Sequence, residues 1–155
     1  MMSLYMVGSY GWSWMPEYVR GLGVDFENAP AIDMKEYIYN MPTVMAAADI
    51  IIGRAGASSC SEIAASGTPC LLIPSPNVTD NHQEKNARAL EEKGAAVVLL
   101  EKECTAEKLY EEVTKLLADV QIRDKMSTAL RKRVVLDSAE QICSMMESMV
   151  KSGRR

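Results

Sequence analysis

Two segments of this 155-residue chain carry side chains whose types and spacing suit the binding of an anionic, hydroxyl-rich ligand. The first is Arg54-Ala55-Gly56-Ala57-Ser58-Ser59-Cys60-Ser61-Glu62, which follows three isoleucines and opens a helix. Backbone N–H groups at a helix start lack intrahelical acceptors and sit at the positive end of the helix dipole, so they attract anions. Gly56 permits close approach of an anion to the backbone, and Ser58 and Ser59 add hydroxyl donors. Glu62, one turn into the helix, can accept two hydrogen bonds from a vicinal diol such as a ribose. The same spacing has a second reading. Ser59-x-x-Glu62 is also a capping box, which satisfies helix-start N–H groups without any ligand. The segment is neither a Walker A loop, because the lysine and the glycine spacing are missing, nor a G-x-G-x-x-G fingerprint.

The second segment is Ser75-Pro76-Asn77-Val78-Thr79-Asp80-Asn81-His82-Gln83-Glu84-Lys85-Asn86. Two prolines flank its start, and donors and acceptors crowd the beginning of the helix that follows. His82 and Gln83 can read sugar hydroxyls, and Asn86 can reach back to the loop. The alternative is a solvated loop with ordinary helix capping by Asp80 or Asn81. A third segment, Glu36-Tyr37-Ile38-Tyr39-Asn40-Met41-Pro42, sets two aromatics two residues apart at a strand end. One ring can stack on a planar base while the neighbouring backbone offers hydrogen bonds to a uracil edge; the alternative is rings packing beneath a loop. Gly8-Ser9-Tyr10-Gly11-Trp12 resembles a flavin-phosphate loop only as a short lone match and carries no assignment.

These segments need elements to hold them. Short apolar runs alternate with amphipathic stretches of helical length, the pattern of stacked β-α units around a parallel sheet. Strands are expected over Ser3–Val7, Ile32–Tyr37, Asp49–Ile52 (fully buried), Pro69–Pro74 and Ala95–Leu100. Helices are expected over Met15–Leu22, from Pro42 at its first position to Ala48, and over Ser58–Ser66, His82–Lys93, Thr105–Ala118, Gln121–Val135 and Ser138–Lys151. Gly23, Gly67 and Gly94 stand where helices stop. Ile142, Met145, Met146 and Met149 share one face of the last helix and are expected to pack into the core. Residues 151–155 are expected to fray. The fold class is therefore α/β, a doubly wound parallel sheet with flanking helices in a single domain spanning residues 1–155. In such sheets ligands bind at the carboxyl ends of the strands, which is where all three segments fall.

Composition narrows the function. Hydrophobic residues make up 48% and charged residues 25%, ordinary globular values, and a net charge of −4 argues against a dedicated nucleic-acid binder. The longest apolar runs are strand-sized, and no basic segment followed by a long apolar one opens the chain, so a cytoplasmic protein is expected. Four cysteines without a C-x-x-C pair, and one histidine, His82, exclude a Cys/His zinc site and a disulfide framework; the thiols are expected to be buried or idle.

Taken together, the run from Glu36 to Leu90 (E-Y-I-Y-N-M-P, then A-A-A-D-I-I-I-G-R-A-G-A-S-S-C-S-E, then I-P-S-P-N-V-T-D-N-H-Q-E-K-N-A-R-A-L) resembles the carboxyl-terminal domain of the MurG family. These bacterial transferases add N-acetylglucosamine to the lipid-linked muramoyl-pentapeptide precursor of peptidoglycan. The likeness extends more loosely over essentially the whole chain. It implies the carboxyl-terminal, Rossmann-like half of a GT-B glycosyltransferase, with UDP-N-acetylglucosamine as donor substrate and no cofactor or metal. It implies that Tyr37 lies near uracil, that the Ile38 backbone bonds the base and that Met41 completes that segment. Arg54, Gly56, Ala57, Ser58 and Ser59 would then lie against the nucleotide, Glu62 would take the ribose hydroxyls, and His82, Gln83 and Asn86 would serve the sugar side. The family's inverting mechanism needs no covalent intermediate, and the full enzyme is expected on the cytoplasmic face of the plasma membrane.

The chain departs from the family in having no match to the first strand and glycine-serine loop, nor to the amino-terminal domain that supplies the acceptor groove and general base. The expectation is therefore an inactive donor half that binds uridine nucleotides weakly, with an unpaired sheet edge through which a homodimer can form. The competing readings are a non-catalytic nucleotide-binding module, one subunit of a split transferase, or another α/β enzyme such as a flavodoxin-like or epimerase domain.

Overall fold

A computed structural model describes residues 3–6, 11–132 and 137–152, and the chain divides into two units, Met1–Met41 and Pro42–Arg155. In the first unit β1 (Ser3–Met6) pairs in parallel with β2 (Ile32–Lys35), Ser3 opposite Ile32 and Met6 opposite Lys35. Parallel neighbours need a crossover, supplied here by α1 (Met15–Gly21), with Pro16 in its first turn where no N–H is missed. A turn then brings the chain back. The Asp25 carboxylate accepts from the Asn28 side chain at 2.8 Å and from its backbone N–H at 3.1 Å, and these bonds hold its carboxyl below the ordinary range. β2 stops at Lys35, two residues short of the expected Tyr37, because its ladder with β1 ends at the Met6–Lys35 pair. The chain then bends toward α2 (Met41–Ala47), in which Pro42 takes the second rather than the first helical position.

The second unit holds three parallel strands in sequential order: β3 (Ile51–Gly53), β4 (Cys70–Leu72) and β5 (Val97–Val98). Ile51 faces Cys70, and Leu71 faces Val97. The helices are α3 (Ala57–Ser66), α4 (His82–Glu91), α5 (Ala106–Ala118), α6 (Val120–Arg131) and α7 (Ser138–Ser152), with 3₁₀ turns at Thr79–Asn81 and Glu101–Glu103. As the middle strand, β4 is covered on both faces, which is why Cys70, Leu71 and Leu72 are all at 0% exposure. β3 is not the fully buried strand expected over Asp49–Ile52: it begins two residues later at the edge of this sheet, and Ile52 is 47% exposed.

Caps fix the helix ends. Gly67 ends α3 at φ +67°, and an added Cβ there would lie 2.6 Å from Arg131 Nε, so α3 and α6 meet where only glycine fits easily. Thr105 and Asp119 accept from the N–H groups of Lys108 and Ile122 at the starts of α5 and α6. Arg123 Nη1 donates to the carbonyls of Leu116, at 2.7 Å, and Leu117, satisfying the last turn of α5. Met126 Sδ accepts from Cys70 N at 3.2 Å, setting α6 over the start of β4. The buried Thr68 hydroxyl donates to the Met45 carbonyl at 2.6 Å, tying α2 to the α3–β4 turn.

The last helix corrects the sequence-based expectation. Ile142, Met145, Met146 and Met149 are 54–71% exposed instead of lying in the core, which Leu116, Met126 and Leu130 already close. Expected helix positions 133–135, the tail 153–155 and Gly8–Tyr10 lie outside the described residues.

Candidate functional site

The loops leaving β3, β4 and β5 at their carboxyl ends build one cluster in the second unit. From β3 the chain runs through Arg54 and Ala55 to Gly56, the N-cap of α3, whose side-chain-free position leaves the helix start without a side-chain cap. Cys60 N makes the first intrahelical bond, to the Gly56 carbonyl at 2.9 Å, so the N–H groups of Ala57, Ser58 and Ser59 have no helical acceptor. This placement removes the capping-box reading. Ser59 is the third helical residue rather than the cap, and Glu62 is the sixth, beyond reach of the helix start. Glu62 is exposed and has no hydrogen bond or ion pair among the described residues. It stands one turn from Ser58, so the two share a face (i, i+4), a hydroxyl and a free carboxylate beside unpaired amides.

Gly56 is not demanded by the protein itself. Its φ of −63° suits any residue, and an added Cβ would meet only Ser59 Oγ at an ordinary 3.7 Å.

From β4 the chain passes Ile73 and Pro74 into the second loop. Asp80 and Asn81 sit at φ +55° and +49°, the left-handed region that Asp and Asn tolerate better than most residues. Three local contacts hold that conformation: Lys85 pairs with Asp80 at 2.7 Å, Asn81 Nδ2 donates to Glu84 at 2.7 Å, and His82 Nδ1 lies 2.8 Å from the Thr79 carbonyl. Asn81 therefore occupies the N-cap of α4 without capping it through its side chain, and Asp80 does not cap either. A carbonyl only accepts, so His82 Nδ1 carries the proton in that bond, and Nε2 lies on the opposite side of the ring. The ring is exposed.

Three of the expected ligand residues also bond within the protein. Gln83 Oε1 accepts from Ser75 N at 3.0 Å, which leaves its amide NH₂ for a partner. Asn86 Nδ2 donates at 3.1 Å to the carbonyl of Ala55, a residue at 0% exposure, so it fastens α4 to the β3–α3 loop. Arg54 Nη1 donates to the Ile73 carbonyl at 3.1 Å and pairs with Glu101 at the end of β5. Glu101 was missed in the sequence because it lies outside every motif; its only signal was its place just after the last apolar run.

Tyr37, Ile38 and Met41 belong to the first unit. Ile38 is 8% exposed and Tyr37 is 58% exposed. Tyr39, passed over as a site residue, is 92% exposed and meets Tyr37 edge-on, centroids 4.9 Å apart at 64°. The pair stands in solvent, not beneath a loop.

The cysteines are free, and burial pushes the Cys70 thiol up to about 12. Among the described residues no group of three or more His, Cys, Asp and Glu could hold a metal, and no helix is long and apolar enough to cross a membrane.

A parallel sheet flanked by helices, with a bare helix start, an exposed carboxylate and an exposed histidine at the strand ends, has the form of the carboxyl-terminal domain of a GT-B glycosyltransferase. The chain matches the glycosyltransferase family 28 C-terminal domain over residues 4–142, and it belongs to that family. It is 40% identical over 148 residues to UDP-N-acetylglucosamine--N-acetylmuramyl-(pentapeptide) pyrophosphoryl-undecaprenol N-acetylglucosamine transferase 1 of Bacillus cereus, covering 96% of this chain and 40% of that protein. A transferase of the same name from Thermoanaerobacter sp. is 42% identical over 146 residues, again 40% of its length. Among solved structures, MurG of Acinetobacter baumannii superposes with a TM-score of 0.79 at 26% identity, over 94% of this chain and 40% of that one. The calicheamicin glycosyltransferase CalG4 shares the fold alone, with a TM-score of 0.66 at 19% identity over 81% of this chain and 32% of its own. The chain thus spans about two fifths of the length of the transferases it matches.

Proposed function

We propose that this chain is the UDP-N-acetylglucosamine-binding domain of an inverting transferase that glycosylates a lipid-linked muramoyl-pentapeptide at the cytoplasmic face of the membrane. One observation carries the reading: an exposed, unpartnered Glu62 one turn behind the unpaired N–H groups of Ala57 to Ser59. An anion sits at such a helix start, and a carboxylate one turn on meets the diol of a ribose attached to it. Relatives named for UDP-N-acetylglucosamine support that choice of nucleotide-sugar.

In this reading Glu62 takes the ribose hydroxyls, and Arg54, Gly56, Ala57, Ser58 and Ser59 face the diphosphate. His82 Nε2 accepts from a hydroxyl of the sugar and the Gln83 amide donates to another, while Asn86 keeps both loops in register. The acceptor 4-hydroxyl attacks the anomeric carbon as the bond to the UDP oxygen breaks, and its proton passes to a base. The negative charge left on UDP is met by the α3 N–H groups, which are aimed before the reaction and need no reorganisation. The acceptor groove and the base are assigned to the part of the relatives that this chain does not match. By itself the chain binds uridine nucleotides weakly and transfers nothing.

Titration of the chain with UDP, followed by ligand-observed NMR, tests the reading: saturable binding that weakens in Glu62→Gln is expected. Absence of binding, or indifference to Glu62→Gln, favours the second reading, a family member kept as a module without donor chemistry.

A further inference from the structure

Glu101 lies outside every segment that meets a ligand, yet it holds one of their residues. It opens the 3₁₀ turn after β5, and its carboxylate accepts from Arg54 Nη1, which also donates to the Ile73 carbonyl at 3.1 Å. Arg54 follows β3, Ile73 follows β4 and Glu101 follows β5, so one guanidinium nitrogen spans the carboxyl ends of three strands. Nε and Nη2 of Arg54 find no acceptor among the described residues.

We propose that Glu101 is a positioning residue of the donor site: through Arg54 it fixes the guanidinium and the 54–59 segment behind it for the diphosphate of the nucleotide-sugar. The proposal rests on the donor-site reading above. An arginine left to itself samples many rotamers, and ordering it on binding weakens affinity; two acceptors on one nitrogen pre-organise its planar fork and leave the other donors facing outward. The pair is not there for stability. Its side chains are 53% and 39% exposed, and exposed ion pairs add little to folding. Pairing also cancels the Glu101 charge locally, which would otherwise repel a diphosphate.

The test uses the full chain and two probes, UDP and uridine, which differ only in the diphosphate. In Glu101→Ala, UDP is expected to bind about tenfold more weakly, the scale of one charge-assisted hydrogen bond, while uridine is unchanged. Glu101→Gln should retain part of the affinity, because its amide oxygen still accepts from Arg54. Arg54→Ala should cost at least as much as Glu101→Ala, because it removes the positioned group and bares the Glu101 charge, and the double variant should be no weaker than Arg54→Ala alone, because both act through one group. Additive losses, equal losses for uridine, or tighter UDP binding in Glu101→Ala would each overturn the proposal. A wild-type chain that binds no UDP, or whose UDP binding ignores Glu62→Gln, overturns the donor-site reading itself and the proposal with it. Uridine binding in each variant shows that the rest of the site still stands.

Discussion

Replacing Asn86 by alanine tests how the two loops of the site are held together. Its amide donates to the Ala55 carbonyl at 3.1 Å in a part-buried bond, and Ala55 is at 0% exposure, so water replaces the donor poorly. Leaving that carbonyl unpaired should cost about 1–3 kcal/mol. At this chain length about 3 °C of melting temperature is lost per kcal/mol, so Asn86→Ala should melt roughly 3–9 °C lower. Asn86→Asp should be worse than alanine, because it turns a carboxylate oxygen toward a carbonyl oxygen. Thermal unfolding followed by circular dichroism measures both, and UDP titration measures the accompanying loss of affinity as the β3–α3 loop comes free of α4. A melting temperature for Asn86→Ala within about 1 °C of wild type, under a third of a kcal/mol at that slope, would show that the bond holds nothing. So would an aspartate variant more stable than the alanine one.

Four further outcomes follow from the same geometry. Gly56→Ala should change stability by no more than about 0.5 kcal/mol, since its φ and surroundings accept a methyl group, yet weaken UDP binding by closing the approach to the α3 amides; denaturant melts and titration separate the two. Exposed Cys143 should react first with a thiol reagent, whereas Cys70, buried and pushed up to about 12, should react only on unfolding. Because the folded state keeps the Cys70 proton that the unfolded state sheds near the ordinary value of 9.0, stability should fall as pH rises above that value and go on falling toward 12, which alkaline denaturation of wild type against Cys70→Ala would reveal. Leu71→Ala, at the centre of β4 and 0% exposed, should destabilise by about 2–5 kcal/mol in a urea melt.

Much of this was legible in the residues. Apolar runs and glycine stops located the strands and helices to within a few residues, because burial and helix termination are local in sequence: Cys70–Leu72 could be nothing but a middle strand once both faces were covered, and Gly67 stopped α3 where expected. Edges were less legible. Ile52 reads as core by composition, but a strand at the edge of a three-stranded sheet leaves one side open, and only topology decides that. The methionine face of α7 was misread for the same reason: amphipathic spacing says that a face wants a partner and does not say which. Within the candidate site, types and spacing pointed to Glu62, Ser58 and His82, which the structure leaves exposed, whereas the bonds that Arg54, Gln83 and Asn86 make within the protein depend on contacts 8 to 47 residues away. The capping-box reading fell on one fact hidden from spacing, that α3 begins at Ala57 and not after Ser59.

The most direct test of the donor site is a comparison of Glu62→Gln with wild type for UDP and for 2′,3′-dideoxy-UDP. Glu62 has no hydrogen-bond or ion-pair partner among the described residues, so the variant should fold with unchanged stability, within about 0.5 kcal/mol. If its carboxylate takes the ribose hydroxyls, Glu62→Gln should weaken UDP about tenfold or more, the scale of charge-assisted hydrogen bonds, and leave the already weak dideoxy analogue unchanged. Equal affinity of wild type for the two nucleotides, or an equal loss on both in the variant, would contradict the assignment of Glu62 and with it the donor site.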